Sequence, residues 1–313
     1  MAAPHRVEVR DVELPRLGLS DVLVEVECSG ISAGTELRFF RGDVDPQTPV
    51  DTSLAGMQEP LRYPMVYGYS AVGRVVEAGP SASDWVGKRV FAFAPHQRHV
   101  VVPVSQVVAL PDSLGFETAC LLANMETAVS LVMDAVPMLG EAALVVGQGV
   151  VGQLVAGLLS AMPLSRVDCI EPSAFRRQLA QSFSGVTQAG VGSEYDVAIE
   201  VSGHGEALAQ TLERMRFEGR VIVGSWYSSP TGWTTRAHRN RNTVTFSQVS
   251  HIDGKWAARF TKARRMQVAL KWLEKLHVER LITHRFALAD ASHAYAALDN
   301  HRGDVMQVLL SYP

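Results

Sequence analysis

The sequence predicts a two-domain α/β protein, and three observations carry that reading. A glycine-rich strand-to-helix junction lies near the middle of the chain, strands and helices alternate after it, and short, evenly spaced strands precede it. The apolar run Ala142 to Val146 leads into Gly147, Gly149 and Gly152, with Val150 and Val151 between the last two glycines, and an Ala, Val and Leu-rich helix follows to Met162. In this G-x-G-x-x-G spacing the first glycine permits a tight turn and the second lets backbone approach a pyrophosphate. The third lets the helix pack on the strand, with helix N–H groups facing the anion. The next strand, Val167 to Ile170, ends in Glu171, whose carboxylate would bind the adenosine ribose hydroxyls. Together these residues predict a dinucleotide-binding fold.

Composition narrows the classes. At 313 residues the chain exceeds one ordinary core, so two domains are expected, and 47% apolar residues suit a globular protein. The net charge of −3, with acids and bases interspersed and no basic tract interleaved with aromatics, argues against nucleic acid as a partner. No apolar run reaches the roughly 18 to 20 residues of a membrane span. The start, MAAPHRVEVRD, has no apolar signal core, so a soluble cytoplasmic protein is expected. Cys28, Cys120 and Cys169 are far apart in apolar settings and read as buried thiols rather than disulfides or metal ligands.

Taken in order, DVLVEVEC (Asp21 to Cys28) alternates as a half-buried strand, and Ser29 to Glu36 reads as a small-residue loop. Further strands are expected at Ala71 to Ala78, Arg89 to Ala94, His99 to Val102 and Gln106 to Leu110, which suggests a barrel-like β domain. Gly56 to Pro64 reads as an ordered surface linker, and Phe116 to Ala135 as a helical stretch. Beyond Gly147, strands at Val167 to Ile170, Asp196 to Val201 and Arg220 to Ser225 interleave with helices at Ala174 to Phe183 and Glu206 to Arg216, the pattern of a parallel sheet with crossovers. The segment from Phe183 to Asp196 is short for a full strand and loop. Thr243 to Val249 reads as a further strand, Ala257 to Leu276 as one long amphipathic helix, and Ile282 to Pro313 as strand, helix and strand.

The segments DVLVEVECSGISAGTEL, YGYSAVGRVVEAG, GKRVFAF, VVGQGVVG, IEVSGHGEAL, FEGRVIVGSW and ITHRFALADASHAYAAL, in this order, resemble the medium-chain dehydrogenase/reductase superfamily over nearly the whole chain. GISAGTE, GYSAVGRV and HRNR most resemble a zinc-lacking branch that also contains bacteriochlorophyllide dehydrogenases. The resemblance implies a GroES-like β-barrel catalytic domain (residues 1–118 and 280–313) and a Rossmann domain (residues 119–279). It also implies that the chain lacks the strand that usually opens the barrel, leaving an N-terminal edge open or covered by a partner. Zinc-dependent members present a cysteine in the first loop, a His-Glu pair in the second, and a Cys, Asp or Glu before the dinucleotide fold. Here the corresponding residues are Ser32, then Tyr69 and Ser70, then Ala123. Neutral hydroxyls are poor zinc ligands, so no metal is expected.

Without zinc, hydroxyls must handle the alkoxide that forms as hydride leaves. The resemblance places Ser32, Tyr69 and Ser70 at the vacated metal position, with Tyr69 the preferred acid/base, or else a mere filler of that position. The ordinary phenol pKa of about 10 would need lowering for this role. By the same resemblance Thr35 is a proton relay or a turn cap, and Glu126 a general base, a substrate-carboxylate partner or half of a structural ion pair. His96 reads as a surface or loop-packing histidine, and His238 to Arg241 as an anion site, a subunit contact or structure. The resemblance brings Thr127 to the nicotinamide, Ser202 and Gly203 to the ribose, and Gly224, Ser225 and Trp226 to the nicotinamide pocket.

Glu171 favours NAD(H), because a carboxylate there repels a 2′-phosphate. Arg176 and Arg177 keep NADP(H) open. The expected activity is zinc-independent interconversion of a secondary alcohol and a ketone in a specialised bacterial biosynthetic pathway. The alternatives are reduction of an enone or quinone, or a non-catalytic nucleotide-binding redox sensor or scaffold subunit. A homodimer is expected through the strand at Thr243 to Val249. The loops from Asp43 to Pro64 and from Tyr227 to Arg236 are expected to set substrate choice.

Overall fold

The computed structural model describes residues 1–45, 62–227, 231–300 and 303–312. In the N-terminal half the strands are β1 (Asp21–Ile31), β2 (Ala71–Ala78), β3 (Arg89–Ala92), β4 (His99–Pro103) and β5 (Val107–Ala109). Then come β6 (Ala142–Val146), β7 (Arg166–Ile170), β8 (Thr187–Gln188), β9 (Tyr195–Glu200), β10 (Met215–Val223) and β11 (Thr243–Phe246), and finally β12 (Ile282–Ala287) and β13 (Gln307–Ser311). The helices are α1 (Glu36–Arg41), α2 (Phe116–Ala119), α3 (Leu122–Ala135), α4 (Val150–Ser160) and α5 (Ala174–Ser184). They continue with α6 (Gly205–Leu212), α7 (Thr235–Arg239), α8 (Gly254–Ala257), α9 (Lys262–Lys275) and α10 (Ala291–Asn300). The chain divides into two compact units, Met1–Ala123 with Val278–Pro313, and Asn124–His277.

In the first unit the strands run β12-β13-β1-β2-β3-β5, with β4 also on β1. The period-2 pattern of β1 turns Val22, Val24 and Val26 inward, where they meet Val75, Val90, Val100 and Val102 in one apolar core. The strand runs three residues further than its alternation suggests. Ser29, Gly30 and Ile31 pair with Leu310, Leu309 and Val308 of β13, so the expected loop shrinks to the residues just before α1. Small polar residues look like a loop in sequence, but here they are buried strand.

The second unit is a six-stranded sheet ordered β11-β10-β9-β6-β7-β8, with every pairing parallel. All five residues of β6 are buried, as expected of an apolar run in a sheet covered on both faces. Several boundaries differ from the sequence reading. Helix α6 ends at Leu212, and Met215 already pairs with Tyr195, so the tail of the expected helix belongs to β10. The short stretch after α5 needs only two strand residues, Thr187 and Gln188, which pair with Asp168 and Cys169. The long C-terminal helix is two helices, because the Thr261 hydroxyl accepts from the Arg264 N–H at 3.1 Å and starts α9 afresh. The stretch from Phe116 likewise breaks into α2 and α3.

Among the described residues no helix is long and apolar enough to cross a membrane. The expected linker Gly56 to Pro64, and the loops proposed for substrate choice, fall partly outside the described residues.

Candidate active site

Each glycine of the central motif has its own geometric reason. Gly147 adopts φ +90°, and a Cβ there would come within 2.7 Å of Ser202 Cα. A Cβ on Gly152 would lie 1.9 Å from the Gly147 carbonyl oxygen, so only glycine lets α4 seat on the turn. Gly149 is the N-cap of α4, and a Cβ there would meet nothing within 4 Å. The open side of Gly149 thus faces a cavity of about 680 Å³ lined by Gly147, Gly149, Glu171, Arg177, Ser202 and His204. Val150 and Val151 open α4 and are half-buried. The combination fits a dinucleotide: bare backbone for the pyrophosphate, a helix N-terminus facing it, and a carboxylate at the end of the next strand.

Glu171 is buried and held by two amides, the Gln148 N–H donating to Oε2 at 2.8 Å and the Ser173 N–H to Oε1 at 2.9 Å. Each oxygen retains lone-pair capacity for a ribose hydroxyl. Arg177 donates to the carbonyls of Glu171 and Pro172 at 2.7 and 2.6 Å, so its guanidinium braces the backbone at this corner. Arg176 sits in the first turn of α5, its N–H on Ser173 Oγ and its carbonyl accepting from Gln153.

At the carboxyl ends of β9 and β10, the Ser202 N–H and hydroxyl both donate to Glu200 Oε1, and the Gly203 N–H donates to Ser225 Oγ at 2.8 Å. Gly224 donates from its N–H to the Glu200 carbonyl at 2.9 Å, and Trp226 is half in solvent. The Tyr227 hydroxyl donates to Glu200 Oε2; burial, then that carboxylate, push the phenol well above its ordinary range.

In the first unit, Tyr69 donates to Ser32 Oγ at 2.5 Å, and its oxygen lies 3.4 Å from Thr35 Oγ1. Thr35 is the N-cap of α1, yet its hydroxyl makes no capping bond to the helix. Ser70 is not part of this group: its hydroxyl donates to the Cys120 carbonyl at 2.5 Å, away from Tyr69. Beneath lies a buried network that the sequence did not reveal. Glu36, fully buried, accepts from the Ser32 N–H at 2.7 Å, from His96 Nε2 at 2.9 Å and from the Tyr295 hydroxyl. The other His96 nitrogen, Nδ1, faces Ser29 Oγ at 2.7 Å, and Ser29 Oγ faces the Tyr312 hydroxyl at 2.6 Å. With Nε2–H given to Glu36, Nδ1 accepts from Ser29, which accepts from Tyr312, and every site is satisfied. Burial holds both phenols, Tyr295 and Tyr312, well above their ordinary range. Glu36 therefore anchors the backbone at Ser32, whose hydroxyl accepts from Tyr69. Nothing in the sequence could show this, because His96 and Glu36 are 60 residues apart.

The donor set does not fit zinc. Ser32 and Tyr69 are hydrogen-bonded to one another, Ser70 is engaged by a carbonyl, and Ala123 offers a methyl, whereas zinc takes thiolate, imidazole or carboxylate.

In the second unit, Glu126 is paired with Arg265, Nε at 3.1 Å and Nη2 at 2.9 Å from the same oxygen, Oε1. Burial is the largest influence on this carboxyl and raises its pKa against the opposing pull of Arg265. Of the readings open for Glu126 the ion pair is thus present, and Thr127 follows on the same helix. The His238 to Arg241 stretch ends α7, with Asn240 bonded to the Met215 carbonyl and Arg241 near Glu218 on the surface.

No family model matches the chain. The chain is 26% identical to the 2-desacetyl-2-hydroxyethyl bacteriochlorophyllide A dehydrogenase of Cereibacter sphaeroides, over 95% of this chain and 92% of that protein. It is also 26% identical to the L-threonine 3-dehydrogenase of Pyrococcus horikoshii, over 90% of this chain and 88% of that protein. Among solved structures, 2R,3R-butanediol dehydrogenase from Bacillus subtilis superposes with a TM-score of 0.82 at 22% identity, over 99% of this chain and 98% of that one. A short chain alcohol dehydrogenase from Escherichia coli CFT073, solved with NADH, gives 0.81 at 18% identity, over 98% and 96%. A GroES-like unit and a Rossmann unit, matched along almost their whole length by dehydrogenases, give this chain the fold of the medium-chain dehydrogenase/reductase superfamily.

Proposed function

We propose that this protein is an NAD(P)-dependent oxidoreductase that interconverts a secondary alcohol and a ketone without zinc. The observation that carries the reading is the cluster of three hydroxyls, Tyr69, Ser32 and Thr35, beside a buried carboxylate that accepts from the Ser32 backbone N–H, where the zinc-dependent relatives need metal ligands. A bound nicotinamide supplies or accepts the hydride. The chain's own part is the proton. In the reducing direction Tyr69 gives its hydroxyl proton to the carbonyl oxygen, and the Ser32 and Thr35 hydroxyls turn to donate to the phenolate left behind. In the oxidising direction the phenolate takes the alcohol proton. Positioned donors of this kind contribute roughly 3 kcal/mol each in a dry site. The backbone at Ser32 is anchored, because its N–H is tied to Glu36.

NAD(H) is the preferred nucleotide in this reading. Glu171 is locked by two amides and cannot swing aside for a 2′-phosphate, and Arg177 is engaged by backbone carbonyls. Glu171→Gln is therefore expected to shift the ratio of NADH to NADPH affinity toward NADPH by roughly tenfold or more, since like charges brought together cost several kcal/mol. Calorimetric titration with each nucleotide checks this, and an unchanged ratio would remove Glu171 as the selector. The activity itself is tested by screening secondary alcohols with NAD⁺, and ketones with NADH, on protein shown by elemental analysis to be free of zinc. Turnover supports the proposal. Nucleotide binding with no turnover of any alcohol, ketone or enone favours the non-catalytic reading.

A further inference from the structure

The sheet order places the two halves of a dinucleotide on opposite sides of one strand. The order reverses between β6 and β9, and ligands of open parallel sheets bind outside the carboxyl ends at such a reversal. The glycine turn follows β6, and Glu171, which serves the adenosine ribose in the proposed reading, follows β7. The other half then falls over the ends of β9 and β10.

Helix α3 steps outward from that edge. Asp134 accepts from the hydroxyl of Ser247, the first residue after β11, at 2.6 Å. Leu131 lies against Gly224, the first residue after β10, where an added Cβ would come within 2.8 Å of it. One turn further along, Glu126 reaches Arg265, whose guanidinium also donates to the carbonyls of Val249 and His251, farther out in the loop leaving β11. Glu126 thus stands beyond the carboxyl edge, on the side of β9 and β10.

Its two oxygens are used unequally. Both Arg265 bonds fall on Oε1, and among the described residues Oε2 has no hydrogen-bond partner, although the side chain is 9% exposed. Arg265 cannot supply one. Its Nε–H and one Nη2–H go to Oε1, the other Nη2–H to Val249, and the two Nη1–H to Ser130 Oγ and the His251 carbonyl, which exhausts the five donors of a guanidinium. The exposed part of the side chain is this second oxygen, so Oε2 is an acceptor held in place by the Arg265 bonds to Oε1 and open to a donor from outside.

We propose that Glu126 Oε2 accepts a hydrogen bond from the nicotinamide half of the bound nucleotide, from a ribose hydroxyl or the carboxamide N–H. The inference rests on the nucleotide-binding reading above. It goes beyond that reading in assigning the Glu126–Arg265 pair a binding role rather than only a structural one.

Glu126→Gln tests it, because the amide can keep its oxygen toward Arg265 and must then present N–H where an acceptor is required. Calorimetric titrations with NADH and with ADP, which lacks the nicotinamide half, separate the roles. The expected result is a loss of roughly ten- to a hundredfold in NADH affinity, the value of one charge-assisted hydrogen bond. ADP affinity should be unchanged and thermal unfolding close to wild type. Equal losses for NADH and ADP, or no loss for either, would overturn the proposal. Should the Gln variant fail to fold, Glu126→Asp keeps the charge and withdraws the oxygen, with the same selective loss expected. Wild-type protein that binds neither nucleotide defeats the nucleotide reading itself, whereas wild-type NADH binding with an indifferent variant defeats only this inference.

Discussion

Gly152→Ala is expected to lose both folding stability and nucleotide binding, whereas Gly149→Ala, three residues away, is expected to lose binding alone. The difference follows from what each added methyl meets. At Gly152 it would overlap the Gly147 carbonyl oxygen at 1.9 Å, and backbone cannot give way as the end of a side chain can, so the turn or the first coil of α4 must move. Overpacking in a closed core costs about 3 kcal/mol, and the displaced turn no longer presents its amides to a pyrophosphate. At Gly149 the methyl enters open space, and φ −70° suits any residue. The loss of a favourable N-cap there is only about 1 kcal/mol, but the methyl occupies the side from which the pyrophosphate approaches. Thermal unfolding and NADH titration of the two variants check the pair. A Gly149→Ala protein that binds NADH like wild type would show that the open side of the turn is not the anion site.

Tyr69→Phe is expected to lower kcat by roughly 100- to 1000-fold, the range seen when a positioned proton donor or oxyanion partner is removed. The ring stays, and the affinity for NADH should not change, because Tyr69 lies in the first unit and the nucleotide-binding residues in the second. Ser32→Ala should show a smaller fall in the same parameter, since Tyr69 would keep Thr35 as a neighbour at 3.4 Å. If Tyr69→Phe turns over at the wild-type rate, the phenol is a filler and the proton must move elsewhere.

The contrast between what was and was not legible in the sequence follows the range of the interactions. The glycine turn and Glu171 were readable because their constraint is local: a left-handed turn, a helix packed on its own strand, a carboxylate at the next strand end. The alternation in β1 was readable for the same reason, up to Cys28. Beyond it, Ser29 and Gly30 are strand only because β13, nearly the length of the chain away, pairs with them. The start of β10 at Met215 is likewise set by its partner Tyr195 and not by its own residues. In the site, the candidates Tyr69, Ser32 and Thr35 do meet, while the hydroxyl of Ser70, adjacent to Tyr69, is taken by the Cys120 carbonyl. Glu36 and Arg265 went unassigned, and His96, expected at the surface or packing a loop, is instead buried between Glu36 and Ser29, since a lone polar residue carries no sign in sequence of which distant partner will bury it.

The most direct test is a calorimetric titration of NADH into protein shown by elemental analysis to contain no zinc, followed in the same sample by addition of stoichiometric zinc. NADH is expected to bind at one site per chain without metal, with no change when zinc is added. Binding that appears only with zinc would contradict the zinc-free reading of Ser32 and Tyr69, and no binding under either condition would contradict the assignment of Gly147, Gly149 and Gly152 to a nucleotide.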